Sequence, residues 1–162
     1  MVFREKIKKE KKLWPLVALG IMIAVGGGLK IYNIFHQPSV FVNIHEQSFV
    51  MMIADTPNKA YQGLSGKKDL GKYAGMVFLF NYEDYYTMVM RDMNFPLDIV
   101  WLKDGVVVDM APKVLVEDNK SESELIRYRP RLPADAVLEL KAGLITETGL
   151  KIGDKVLLTK NQ

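Results

Sequence analysis

The chain has no cysteine among its 162 residues. That excludes a disulfide framework, a thiol nucleophile, a thiolate metal site and a lipobox-type lipid anchor. Histidine is nearly absent: only His36 and His45 occur, far apart and without a ligand partner at a recognised spacing, so no metal site is expected. No phosphate-cradling loop is present. Gly63-Leu64-Ser65-Gly66-Lys67 contains the right residue types but follows a predicted helix and lacks the P-loop spacing. Ser65 has no nucleophile-elbow context and no histidine partner in view. Internal repeats and low-complexity segments are also missing. No cofactor is expected from this inventory.

An excess of positive charge is missing from all but the beginning of the chain. The formal net charge is +3, yet residues 1–12 alone carry +4, through Arg4, Lys6, Lys8, Lys9, Lys11 and Lys12 against Glu5 and Glu10. The remainder has a net charge of −1. Basicity is a property of the tail, and the folded part offers no electrostatic case for nucleic acid.

Directly after the basic tail comes a long uncharged run, Leu13 to Leu29. Seventeen helical residues span about 25 Å, slightly less than a hydrocarbon core of about 30 Å. Continuing through Ile31 to Phe35 supplies the length if Lys30 snorkels outward. Trp14, Tyr32 and Phe35 bracket the run as interfacial anchors do. Gly26-Gly27-Gly28 disfavours a soluble helix, at roughly 1 kcal/mol per glycine. The reading is a single-pass cell-membrane anchor, with a cytoplasmic N-terminus and an extracytoplasmic C-terminal domain. The alternative is secretion after cleavage of a signal peptide near Ala24-Val25-Gly26. The expected organisation is a basic cytoplasmic tail at 1–12, a transmembrane anchor at 13–35, a linker and first strand at 36–47, and a β domain at 48–160.

Beyond the linker the apolar runs are short. Val40–Ile44, Ser48–Ala54, Gly75–Phe80, Tyr85–Met90, Leu97–Leu102, Val106–Met110, Leu125–Arg129, Ala136–Lys141 and Asp154–Thr159 read as strands. Lys103-Asp104-Gly105 is a hairpin turn. Thr56 and Pro57 open a short helix, and Ala142–Leu150 holds a second. Residues 117–125 are polar and read as an exposed loop. Regular long helices do not separate the strands, so a parallel βαβ sheet is disfavoured. The fold class is mainly β, an antiparallel β-sandwich or partly closed barrel with one or two short helices, plus the N-terminal transmembrane helix.

The stretch Met90-Arg91-Asp92-Met93-Asn94-Phe95-Pro96-Leu97-Asp98-Ile99 places a carboxylate, Asp98, inside a buried strand, where it must be hydrogen-bonded or paired. This stretch, with Ile53-Ala54-Asp55-Thr56-Pro57, Gln62-Gly63-Leu64-Ser65-Gly66, Gly75-Met76-Val77-Phe78-Leu79-Phe80, Val137-Leu138-Glu139-Leu140-Lys141-Ala142-Gly143 and Ile152-Gly153-Asp154, resembles the DUF192 (UPF0127) family over about residues 48–158. The resemblance implies a compact, mainly β domain of jelly-roll-like character, often exported, with no established biochemical function. It supplies no catalytic residues. One position departs: the family usually has an aromatic residue, often Trp, where this chain has Val89.

Arg91, Asp92, Asp98 and Glu139 are the candidate ligand-binding residues. A guanidinium beside two carboxylates can orient a hydroxylated ligand. The same groups can serve a purely structural role, with Asp98 accepting backbone hydrogen bonds and Arg91 pairing with it. Acid/base work would need two of Asp92, Asp98 and Glu139 in one open cleft, about 5–10 Å apart. Alternation puts Glu139 on the face opposite Leu138 and Leu140, a solvated outer face unless it meets Arg91 or Arg127. Met88, Met90 and Met93 could hold Cu(I), but thioethers beside a buried strand fit core packing better.

The expected function is a non-catalytic binding module at the cell envelope, for a saccharide or envelope polymer. A hydrolase or lyase acting through Asp98 with Asp92 or Glu139 is one alternative; a structural or partner-docking module is another. The expected partners are the membrane and an envelope saccharide or protein, with no nucleic acid; oligomeric state is left open. Protease added outside intact cells carrying the full chain should digest residues 40–162. Protection of that region would overturn the outward orientation.

Overall fold

The structure, a computed structural model, describes residues 15–28 and 38–160. Two units are distinguished, Met1–Gln37 and Pro38–Gln162. In the first, helix α1 covers residues 15–28 and carries Leu16, Val17, Ile21, Met22, Ile23 and Val25 exposed. The expected anchor at 13–35 runs past α1 at both ends, into residues outside those described. Among the described residues no helix is long and apolar enough to cross a membrane. The rest of the expected span, the basic tail at 1–12 and His36 also lie outside them.

The second unit is built on one sheet. Its strands are β1 (Ser39–Ile44), β2 (Gln47–Ala54), β3 (Gly75–Asp84), β4 (Leu97–Lys103), β5 (Val106–Val114), β6 (Ala134–Lys141) and β7 (Val156–Lys160). They lie in the order β5-β4-β6-β3-β2-β1-β7. Neighbours are antiparallel except β2 and β3, which run parallel. A parallel pair needs a crossover. Here it contains helix α2 (Pro57–Gln62), started by Thr56, whose side chain accepts from the Lys59 amide, and by Pro57 in the first turn. The β4–β5 hairpin turns on Asp104 and Gly105, both with positive φ, as the Asp-Gly pair predicts.

The sheet curls into a half-barrel. Its edges meet at one end, where the amides of Val107 and Gly153 exchange bonds with the carbonyls of Asp154 and Val107, both at 2.9 Å. The Val156 amide reaches the Gly105 carbonyl at 2.8 Å. Of the expected architectures the mainly β, partly closed barrel is the one that holds, and the rest is corrected. There is one mixed sheet rather than a two-sheet sandwich or jelly roll, and it is not wholly antiparallel. The expected strands at 85–90 and 125–129 are also absent. Those segments join each other through a single bridge, Met88 to Tyr128, and the first lies over a sheet face instead of extending an edge.

That covering explains the second core. Along β3, β4 and β6 alternate side chains enter opposite clusters. Val77, Val100, Leu102, Leu138 and Leu140 belong to the first, closed by Leu144 and Ile145 of helix α3 (Leu144–Thr148). Met76, Phe78, Leu97, Ile99, Trp101 and Val137 belong to the second, which also takes in Leu64, Met90 and Met93. The sheet is buried on both faces.

Asp98 lies on the first face, opposite Leu140 in register, and is 0% exposed. It accepts three backbone amides: Lys113 at 2.7 Å, Gly143 at 3.0 Å and Ile145 at 2.8 Å. Lys113 has a positive φ within irregularly paired β5, and Gly143 caps α3. One carboxylate thus joins the β4–β5 edge to the helix that closes the first core. Asp98→Ala should cost about 3–5 kcal/mol, the range for orphaning buried partners of a charged group. Urea unfolding of the full chain checks this.

Candidate functional site

β6 sets the floor of the site. Glu139 pairs with Met76 on β3 and Ile99 on β4, so it faces the second core. The alternation expected for Glu139 is correct, but the solvated face is not. The residue is only 5% exposed, because the turn after α2 and residues 87–93 line the space around it. Beneath them is a cavity of about 200 Å³ whose lining includes Gly63, Phe78, Val89, Arg91 and Glu139.

Two glycines make the close approach possible. Gly63 ends α2 with φ 52, and a Cβ there would lie 3.6 Å from Glu139 Oε2 and 3.4 Å from the Phe78 ring. A Cβ on Gly75 would lie 1.9 Å from the Glu139 carbonyl oxygen, so β3 can pass there only as glycine.

Glu139 Oε2 has no hydrogen-bond partner among the described residues. Burial pushes the carboxyl up to about 8, and it is protonated at neutral pH. A neutral carboxyl can both donate and accept. It is the group in this cavity best suited to a hydroxyl or amide.

Arg91 stands at the mouth. Its Nε and Nη2 donate to the two carboxylate oxygens of Glu122, at 2.5 and 2.9 Å. Nη1 donates to the Tyr61 carbonyl at 3.1 Å, and the guanidinium lies 4.4 Å from the centre of the Tyr61 ring. That ring is 74% exposed. Outside the mouth a groove of about 460 Å³ shares Tyr61, Gln62, Ser65 and Arg91 with the inner cavity and adds Asp92. Asp92 holds a positive φ, and its carbonyl accepts the Gly66 amide at 2.8 Å. The Ser65 hydroxyl donates to the Arg91 carbonyl at 2.7 Å, a structural tie.

The four candidate residues therefore divide. Arg91 and Glu139 share the inner cavity, and Arg91 and Asp92 share the outer groove. Asp98 is separated from them by the sheet itself. It shares a face with Leu140, whereas Glu139 shares the other with Ile99. An acid/base pair of Asp98 with Glu139 is excluded by that register, and the three amides occupy Asp98 in any case. Arg91 pairs with Glu122 rather than Asp98. Glu122 and Tyr61 did not stand out in sequence, one in a polar loop and the other in a short helix.

Met90 and Met93 are buried in the second core and Met88 packs against it. His45 bridges the Thr148 carbonyl and Asp154 at 3.1 and 3.0 Å, tying the β1–β2 turn to the end of α3. Among the described residues no group of three or more His, Asp or Glu side chains could hold a metal ion.

The profile of the DUF192 family, described as "Uncharacterized ACR", matches residues 40–158. No curated protein matches the chain. A solved protein of unknown function from Novosphingobium aromaticivorans DSM 12444 is 32% identical, with a TM-score of 0.62 over 74% of this chain and 83% of that one. A "putative transcription regulator" from Sinorhizobium meliloti 1021 is 23% identical, with a TM-score of 0.62 over 75% of this chain and 92% of that one. The second likeness extends to the fold alone.

The Glu139 carboxyl is neutral when folded but titrates near its ordinary 4.5 when exposed. Between these values the folded chain holds the extra proton, so stability falls as pH rises through the window. Glu139→Gln removes this slope. Relative to wild type, the variant should gain on the order of 3 kcal/mol between about pH 5 and about pH 7.5, read by urea unfolding.

Proposed function

The chain belongs to the DUF192 family, and from that premise we propose that it is a non-catalytic binding module of the cell envelope. It is tethered to a membrane through residues 13–35, with the β domain outside, and it takes a hydroxylated group of an envelope saccharide into the Glu139 cavity. The basic tail followed by an uncharged run supports the tether, as do the exposed apolar side chains of α1.

The observation that carries the binding reading is the unpartnered Glu139 oxygen. A buried polar group without a partner costs about 1–3 kcal/mol, and a ligand hydroxyl would recover it. The exposed Tyr61 ring offers a flat apolar surface beside the mouth, against which the carbon face of a sugar can pack. Catalysis on a glycosidic bond has less support. It requires a second carboxylate in the same cleft, and Asp98 is on the other side of the sheet.

Titration of the full chain with chitobiose, followed by calorimetry, should give saturable binding with Kd at or below about 1 mM. Val89→Trp places a large ring on the cavity wall and should abolish that binding while circular dichroism stays unchanged. Absence of binding to chitobiose and to acidic saccharides alike would overturn the reading. Binding that survives Val89→Trp would move the site elsewhere.

A further inference from the structure

We propose that the saccharide recognised here is a sugar acid with a single carboxylate, which Arg91 receives by releasing Glu122. This assignment rests on the binding reading of the same cavity and adds the ligand's charge and the means of its entry.

Arg91 already holds a carboxylate. Two guanidinium nitrogens meet both oxygens of Glu122, the planar two-point geometry in which arginine recognises carboxylates. The third nitrogen and the face of the guanidinium are held by Tyr61, so the fork is oriented independently of Glu122. Glu122 itself is 51% exposed, on the polar loop. Arg91 is 24% exposed, so the pair is partly open to water and can separate, although its two-point geometry makes it stronger than an ordinary surface pair. A ligand carboxylate would remake the same two bonds while the half-exposed Glu122 returned to water, an exchange that favours the ligand where its carboxylate is the better seated of the two. Glu122 marks the place where the ligand's charge would sit.

The position of Arg91 sets what else the ligand must carry. Arg91, Tyr61, Gln62 and Ser65 form the wall common to the inner cavity and the outer groove. A ligand that presents a hydroxyl to Glu139 and continues into the outer groove passes Arg91, which lines both. The inner group has to be neutral, because a second carboxylate beside Glu139 would lack a cation to pair with. Asp92 lines the outer groove and opposes further negative charge there. One anionic group, flanked by hydroxyls, satisfies all three residues. The volume of the inner cavity suits one small ring, not a length of polymer.

The test compares methyl glucuronoside with methyl glucoside, which differ only in a carboxylate at C6, using calorimetry on the full chain. The glucuronoside should bind about tenfold tighter. Arg91→Gln should reduce its affinity to that of the glucoside. Glu122→Gln, at an exposed position that leaves the core untouched, should tighten the glucuronoside about threefold or more and leave the glucoside unchanged. Equal affinity for the two sugars in wild type overturns the proposal. So does a preference that persists in Arg91→Gln, or a Glu122→Gln variant with wild-type affinities. In each of these cases chitobiose binding still stands. If none of the three sugars binds, the binding reading itself falls with this one.

Discussion

The fold turns on a carboxylate that solvent never reaches. Asp98 is the point at which a central strand, an edge strand and the helix over the first core are joined, and all three bonds go to backbone amides. A carboxyl in that position is tolerated because three backbone N–H donors offset its loss of hydration. The irregular backbone at Lys113 and Gly143 is arranged around it. Those segments have free amides to offer because neither is in regular pairing there.

Glu139, one strand away and equally enclosed, has the opposite fate. It faces side chains and a tight turn rather than chain segments with spare amides. Burial without donors leaves it protonated, whereas burial with three donors gives Asp98 all the partners a carboxylate needs. The register of β4 and β6 keeps the two apart, so a single sheet has one carboxyl that joins three segments and another whose Oε2 has no partner among the described residues. The half-barrel shape reflects the same two-sided burial: a sheet covered on both faces has little left to pack against a second sheet.

Much of this was legible in the sequence. Short apolar runs bounded by turn residues locate all seven strands, and Thr56-Pro57 and Asp104-Gly105 mark their helix and hairpin. The conflict between Asp98 and its apolar surroundings announces a hydrogen-bonded carboxylate. Segments 85–90 and 125–129 misled, because β-rich composition does not distinguish a strand in a sheet from an extended stretch covering one. Alternation also says which way Glu139 points but not what lies there, since its cover comes from residues some fifty to seventy-five positions earlier. Glu122 and Tyr61 were invisible for a related reason. A glutamate in a polar loop and a tyrosine on a helix without buried residues become notable only when the fold carries Arg91 between them.

Gly75 has a bearing on how such a site can diversify. Its missing side chain lets β3 rest against the Glu139 backbone, so the floor of the cavity is part of the sheet's own construction and resists change. The rim is different: Val89, Arg91, Tyr61 and Glu122 sit on a covering segment, a short helix and a loop, outside the strands of the sheet. Substitutions at the rim would therefore change what surrounds Glu139 while leaving the strand-built floor beneath it in place.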